Sequence, residues 1–162
     1  MTFKGDTLRI YDISMSITPD MMVYKDKLDK KPKFINMANH QNNGMHETRV
    51  EIDIHCGTHI DMPLHMIEKG KTMDEFDFER LITSAKVFDF TELTNKYIMA
   101  KDIEKLVINK GDFIIFKTQN SFHDKLKGFE NEFVFVEESA AKLLKEKGIN
   151  GVGIDSLGIE RS

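Results

Sequence analysis

The chain has 162 residues, 40% of them hydrophobic and 31% charged, with a net charge of −4 at pH 7. By length it is expected to be one domain, 1–162, burying roughly 70% of its unfolded surface. With this acidic balance nothing suggests a nucleic-acid surface, and no run of ~18 apolar residues suggests a membrane span. Residues 1–6 lack the apolar core of a secretion signal. The one cysteine, Cys56, rules out an internal disulfide and fits a reducing compartment, so a cytoplasmic location is expected.

In chain order, residues 8–15 read as a first strand, with Tyr11, Ile13 and Met15 on one face. Thr18-Pro19-Asp20 is a turn. The lysines of 21–33 (Lys25, Lys27, Lys30, Lys31, Lys33) read as a solvated basic loop. A short strand is expected over 34–37 and a polar loop over 38–44, flanked by His40 and His46 as surface or strand histidines.

Residues 45–55 alternate. Val50, Ile52 and Ile54 are apolar, while Arg49, Glu51 and Asp53 are polar, which is the pattern of a half-buried strand. That strand runs into the densest chemistry in the chain, His55-Cys56-Gly57-Thr58-His59-Ile60-Asp61-Met62-Pro63-Leu64-His65. The potential ligands His55, His59, Asp61 and His65 all fall at odd numbers and so share a face of extended chain. Four residues of straight strand span ~13 Å, whereas imidazoles on one zinc each bind at ~2 Å. The chain must therefore curl, and Gly57 is where it can. Gly57, Pro63 and the β-branched approach oppose the alternative, a helix carrying histidines at i and i+4. A curl at 56–58 and an extended segment held by Pro63 are expected. Imidazole with carboxylate suits Zn²⁺, Mn²⁺ or Fe²⁺. Zinc or manganese is expected, and the spacing itself does not choose. Cys56, at an even number, points away as a small buried residue.

Beyond the motif, 68–71 is a turn, and Phe76, Phe78, Leu81 and Ile82 anchor a short helix or turn. A strand is expected over 85–90, then a helix over 100–109 with Ile103, Leu106 and Val107 buried. Residues 113–116 make a buried strand. It leads into Thr118–His123, where His123 has no partner at ligand spacing. After a short strand over 133–136, residues 137–147 are the clearest helix: acids open it, lysines close it, and Ala140, Leu143 and Leu144 form its buried stripe. A last strand covers 149–154. This mix of strands and helices is an α/β or α+β class.

His-x-Gly-Thr-His-x-Asp-x-Pro-x-His resembles the signature of the cyclase family of metal-dependent hydrolases, which includes bacterial kynurenine formamidase (arylformamidase) and isatin hydrolase. The likeness extends to Tyr11-Asp12-Ile13-Ser14, Lys110-Gly111-Asp112, Lys117-Thr118 and Val152-Gly153-Ile154-Asp155-Ser156. It implies a swivelling β/β/α fold with a mixed sheet, within the α/β class. It implies a metal on His55, His59 and Asp61, with Asp61 as a bridge between two metals and His65 as the acid–base group. The residues alone equally allow His65 as a third histidine ligand. Tyr24 stands where the family has an aromatic near the substrate, although Lys25-Asp26 follow it in place of the usual Pro-Gly.

The implied activity is hydrolysis of a formamide or cyclic amide C–N bond by metal-bound hydroxide, on a small-molecule amide and in a homodimer or homotetramer. In the family the polypeptide continues past the Gly-Ile-Asp-Ser strand and supplies a histidine and a glutamate to a second metal. This sequence ends at Ser162, with no histidine after His123. A mononuclear site, impaired activity and an exposed final strand edge are therefore expected. The alternatives are a metal- or small-molecule-binding homologue without turnover, and an interaction protein with an inert histidine cluster.

Overall fold

The structure, a computed structural model, describes residues 9–123 and 128–161. Its centre is a parallel sheet of β3 (Ala85–Asp89), β5 (Phe113–Lys117) and β7 (Gly151–Ile154), in the order β3-β5-β7. Parallel neighbours need crossover connections. The first crossover carries β4 (Tyr97–Ile98) and α2 (Ala100–Ile103), and the second carries β6 (Phe135–Val136) and α3 (Glu138–Glu146). β4 and β6 pair in parallel as a second small sheet, and α2 packs on α3. The α/β class holds, with parallel and antiparallel pairing divided among separate sheets.

The apolar run Phe-Ile-Ile-Phe of β5 drives this arrangement. Ile114 and Phe116 are fully buried and pack with Ile98, Ile103, Val134, Val136, Ala140 and Leu144 into one core. α3 forms as its sequence pattern predicts. Glu137 caps it by accepting the Ser139 N–H at 2.9 Å, and Glu138 pairs with Lys142 one turn on. The helix expected over 100–109 is shorter. Asp102 accepts the Met99 N–H at its start, but tight turns at Leu106 and Ile108 end it and send Ile108 rather than Val107 into the core.

The N-terminal half differs. β1 (Lys33–Ala38) and β2 (Glu47–Glu51) form an antiparallel hairpin around the short α1 (His40–Asn43), where a loop was expected. Asn39 caps α1 by accepting the Asn42 N–H. Among the described residues no strand or helix packs extensively on this hairpin. Phe34 and Val50 face each other across it, and both are nearly half exposed. The strand expected over 45–55 is therefore shorter than its pattern and exposed rather than half-buried. Its alternation specifies an apolar face, but among the described residues no strand or helix packs extensively on that face.

The strand expected over 8–15 does not form. Leu8 lies outside the described residues, and 9–15 pair with no strand. Asp12 instead draws in the Ser14 N–H at 2.9 Å, a local bond that competes with a ladder. Met15 and Ile17 then pack on a second, small core of Met21, Val23 and Cys56.

Candidate metal centre

β2 stops at Glu51, and the next residues turn. Asp53 Oδ1 accepts the His55 N–H at 3.1 Å, which starts the bend. Gly57 completes it at φ +67°, in the left-handed region, where a Cβ would lie 2.4 Å from the Ile17 side chain. The backbone angle favours glycine there, and a Cβ would also push aside the terminal methyl of Ile17. Thr58 Oγ1 accepts the Met15 N–H at 2.9 Å and ties the bend to the N-terminal segment. Pro63 does not hold extended chain; it opens a 3-10 turn, Pro63–His65, a role suited to its fixed φ.

The curl brings His55, His59 and Asp61 together, with one donor atom from each all within 4.8 Å of one another. Two details define their chemistry. His59 Nδ1 lies 2.9 Å from the Gly57 carbonyl, which can only accept, so Nδ1 carries the proton. Nε2 is left with its lone pair 3.3 Å from Asp61 Oδ1. His55 Nδ1 is buried and makes no hydrogen bond, although Asp61 Oδ1 is only 2.7 Å away. That approach lacks hydrogen-bond alignment. Two imidazole nitrogens and a carboxylate oxygen converging on one point form a donor set that fits a divalent cation.

His65 stands beside this set. Its ring centroid is 3.9 Å from that of His55, tilted by 40°, and it is exposed. Cys56 faces the other way: its buried thiol donates to Met21 Sδ at 3.3 Å, and burial pushes its pKa up. His40 and His46 stack on each other at 6.4 Å on the exposed hairpin, apart from the cluster.

Tyr24 opens a tight turn in which Lys25 and Asp26 both take positive φ, at 54° and 50°. Its ring meets Phe129 edge-on at 5.3 Å, and Asp26 accepts the Phe129 N–H. Gly128 permits this clamp, since a Cβ there would sit 2.8 Å from Asp26 Oδ2. Phe129 lines a cavity of about 20 Å³ with Met22, Asn120, His123, Phe133 and Leu157. His123 Nδ1 lies 3.2 Å from Glu130 at its rim.

The segments around Thr118 and Asp155 meet at the C-terminal ends of β5 and β7. Asp155 accepts the Thr118 N–H at 2.8 Å, its hydroxyl at 2.7 Å, and the Ser121 hydroxyl. Burial pushes the Asp155 carboxyl up, but these hydrogen bonds outweigh burial and its pKa is lowered.

Sequence reading missed two residues. By pattern alone Asp53 is a polar strand position and Lys30 a solvated lysine. They pair at 2.5 Å directly behind His55. The signal for Asp53 was its place two residues before a histidine, where an aspartate accepts the following N–H. For Lys30 there was none, because its partner is 23 residues away.

The cyclase family profile ("Putative cyclase") matches residues 11–161. Cyclase-like protein 2 of Arabidopsis thaliana is 31% identical over 161 residues, covering 93% of this chain and 58% of that protein. Kynurenine formamidase of Bacillus thuringiensis (strain Al Hakam) is 26% identical over 121 residues, covering 75% and 56%. The chain thus spans little more than half the length of these curated relatives. A solved structure described as a potential metal-dependent hydrolase with cyclase activity superposes with a TM-score of 0.82 at 45% identity, over 94% of this chain and 70% of that one. With the profile spanning nearly all of its length, this chain belongs to the cyclase family.

Proposed function

We propose that the chain carries the metal centre of an amide hydrolase that cleaves a formamide or cyclic amide C–N bond. One observation carries this reading. His55 Nδ1, His59 Nε2 and Asp61 Oδ1 converge, with the His55 nitrogen buried beside a carboxylate and without a hydrogen bond. The kinship with kynurenine formamidase supports the reaction class. His55, His59 and Asp61 would hold a divalent cation, zinc or manganese. When bound, such a cation polarises a carbonyl and makes water acidic enough to react near neutral pH.

The protein's own groups do the rest. The Gly57 carbonyl keeps the His59 proton on Nδ1, so Nε2 always faces the site. His65 lies against the His55 ring and outside the converging set. Its imidazole has the chemistry of a general acid and could deliver a proton to a leaving nitrogen. Tyr24, set edge-on to Phe129, offers an aromatic wall for the substrate.

Three further proposals follow. The uncovered apolar residues of the hairpin support a homodimer or homotetramer, readable by light scattering. The free thiol of Cys56 supports a cytoplasmic location. A second reading is a binding homologue without turnover, with a metal held by the same His55, His59 and Asp61. Chelated protein given back zinc or manganese decides between the readings. Hydrolysis of an N-formylanilide that returns with the metal supports the hydrolase. Full metal content without turnover leaves the binding homologue.

A further inference from the structure

We infer that Lys30 and Lys31 form a clamp that positions the metal-binding loop, with Asp53 as the link that orients His55. The inference rests on the metal reading above. The basic stretch is not solvated throughout. It is folded into two 3-10 turns, Tyr24–Asp26 and Leu28–Lys30, followed by a fully buried Pro32. Its two middle lysines reach to the two sides of the loop.

Lys30 Nζ contacts Asp53 Oδ2 at 2.5 Å, with both side chains about three-quarters buried. The other oxygen of Asp53 accepts the His55 N–H at 3.1 Å. The carboxylate is thus held at one end and holds the backbone of a ligand at the other. Lys31 Nζ donates to the carbonyls of Met21 at 2.6 Å and Asp20 at 3.1 Å. Met21 in turn packs on Cys56 and lies 3.4 Å from where a Gly57 Cβ would be. The curl that carries His55 is therefore gripped from the strand side through Asp53 and from below through Met21.

A neighbouring pair shows the contrast. Lys33–Glu51, at 3.2 Å, is half exposed and links the two hairpin strands at register partners. Pairs of that kind contribute little. Lys30–Asp53 is shielded, is anchored at both ends, and acts on a residue whose ring nitrogen must be aimed. Groups one step removed from metal ligands typically change affinity by about 10–100-fold when removed.

The test is zinc affinity by calorimetry, together with the visible absorption of bound Co²⁺ as a report of ligand geometry. Melting temperature is followed in parallel. Asp53→Ala removes both contacts and should weaken zinc binding by about 10–100-fold with an altered Co²⁺ spectrum. Asp53→Asn keeps an acceptor for the His55 N–H and should fall between Asp53→Ala and wild type. Lys30→Met, which keeps the length and apolar stem of the side chain, should also weaken binding, and Lys30→Arg should restore it. Lys33→Met should bind as wild type. Wild-type affinity and spectrum in both Asp53→Ala and Lys30→Met would overturn the clamp and leave the metal reading standing. A wild-type protein that binds no zinc would overturn the metal reading, and the clamp with it.

Discussion

From Ala85 onward the chain buries Ile98, Ile103, Ile114, Phe116, Val134 and Leu144 in one continuous core. Before it, the described residues bury the small cluster of Met21, Val23 and Cys56 and leave Phe34, Val50, Ile52 and Ile54 in the open. Yet the converging histidines and aspartate belong to this loosely packed half. The difference shows that different forces hold the site and the fold. Apolar burial holds the sheet. Directional polar contacts hold the site: Asp53 on His55, Gly57 on His59, Thr58 on Met15. Stability and metal binding should therefore be separable by mutation.

The sharpest way to break the contrast is His59→Ala. It should abolish stoichiometric metal binding in equilibrium dialysis while the melting temperature of the metal-free protein stays near wild type. Undiminished metal would remove His59 from the site. Next in size is His65→Ala, expected to lower turnover by about 10²–10⁴-fold, the range for a lost general acid. Its metal content should not change. If the metal is lost instead, His65 is a ligand.

On the other side of the comparison, Phe116→Ala should cost about 3–5 kcal/mol in urea unfolding. Met21→Ala, in the small cluster, should sit near the lower end of its class, about 2 kcal/mol. Equal costs would mean that the two regions unfold as one packed unit. The smallest effect concerns acid. The depressed pKa of Asp155 means that its stabilising effect is fully present above the ordinary carboxylate value of about 4. That effect is lost as pH falls through the lower folded value. Asp155→Asn should flatten the urea midpoint against pH below about 4, where wild type declines; an unchanged slope would exclude Asp155 as its source.

Where local signals suffice, the sequence is a good guide. Acids, lysines and an apolar stripe define α3, and Glu138–Glu146 is helical. The alternation of odd positions and one glycine define the curl, and His55, His59 and Asp61 meet. Where a partner is required, local signals mislead. Residues 8–15 carry a strand pattern, but among the described residues no strand pairs with 9–15. Val107 has helical spacing, but the helix ends before its position can count.

By itself, then, the sequence determined the register of His55, His59 and Asp61 and the bend that brings them together. Those depend on backbone angles and on residues a few positions apart. Only the tertiary structure decided what holds that set in place. Lys30 meets Asp53 across 23 residues, Met15 meets Thr58 across 43, and Thr118 meets Asp155 across 37. A charge or hydroxyl in sequence states what it can bond but not what will arrive beside it. That depends on how the chain packs, which no local pattern encodes.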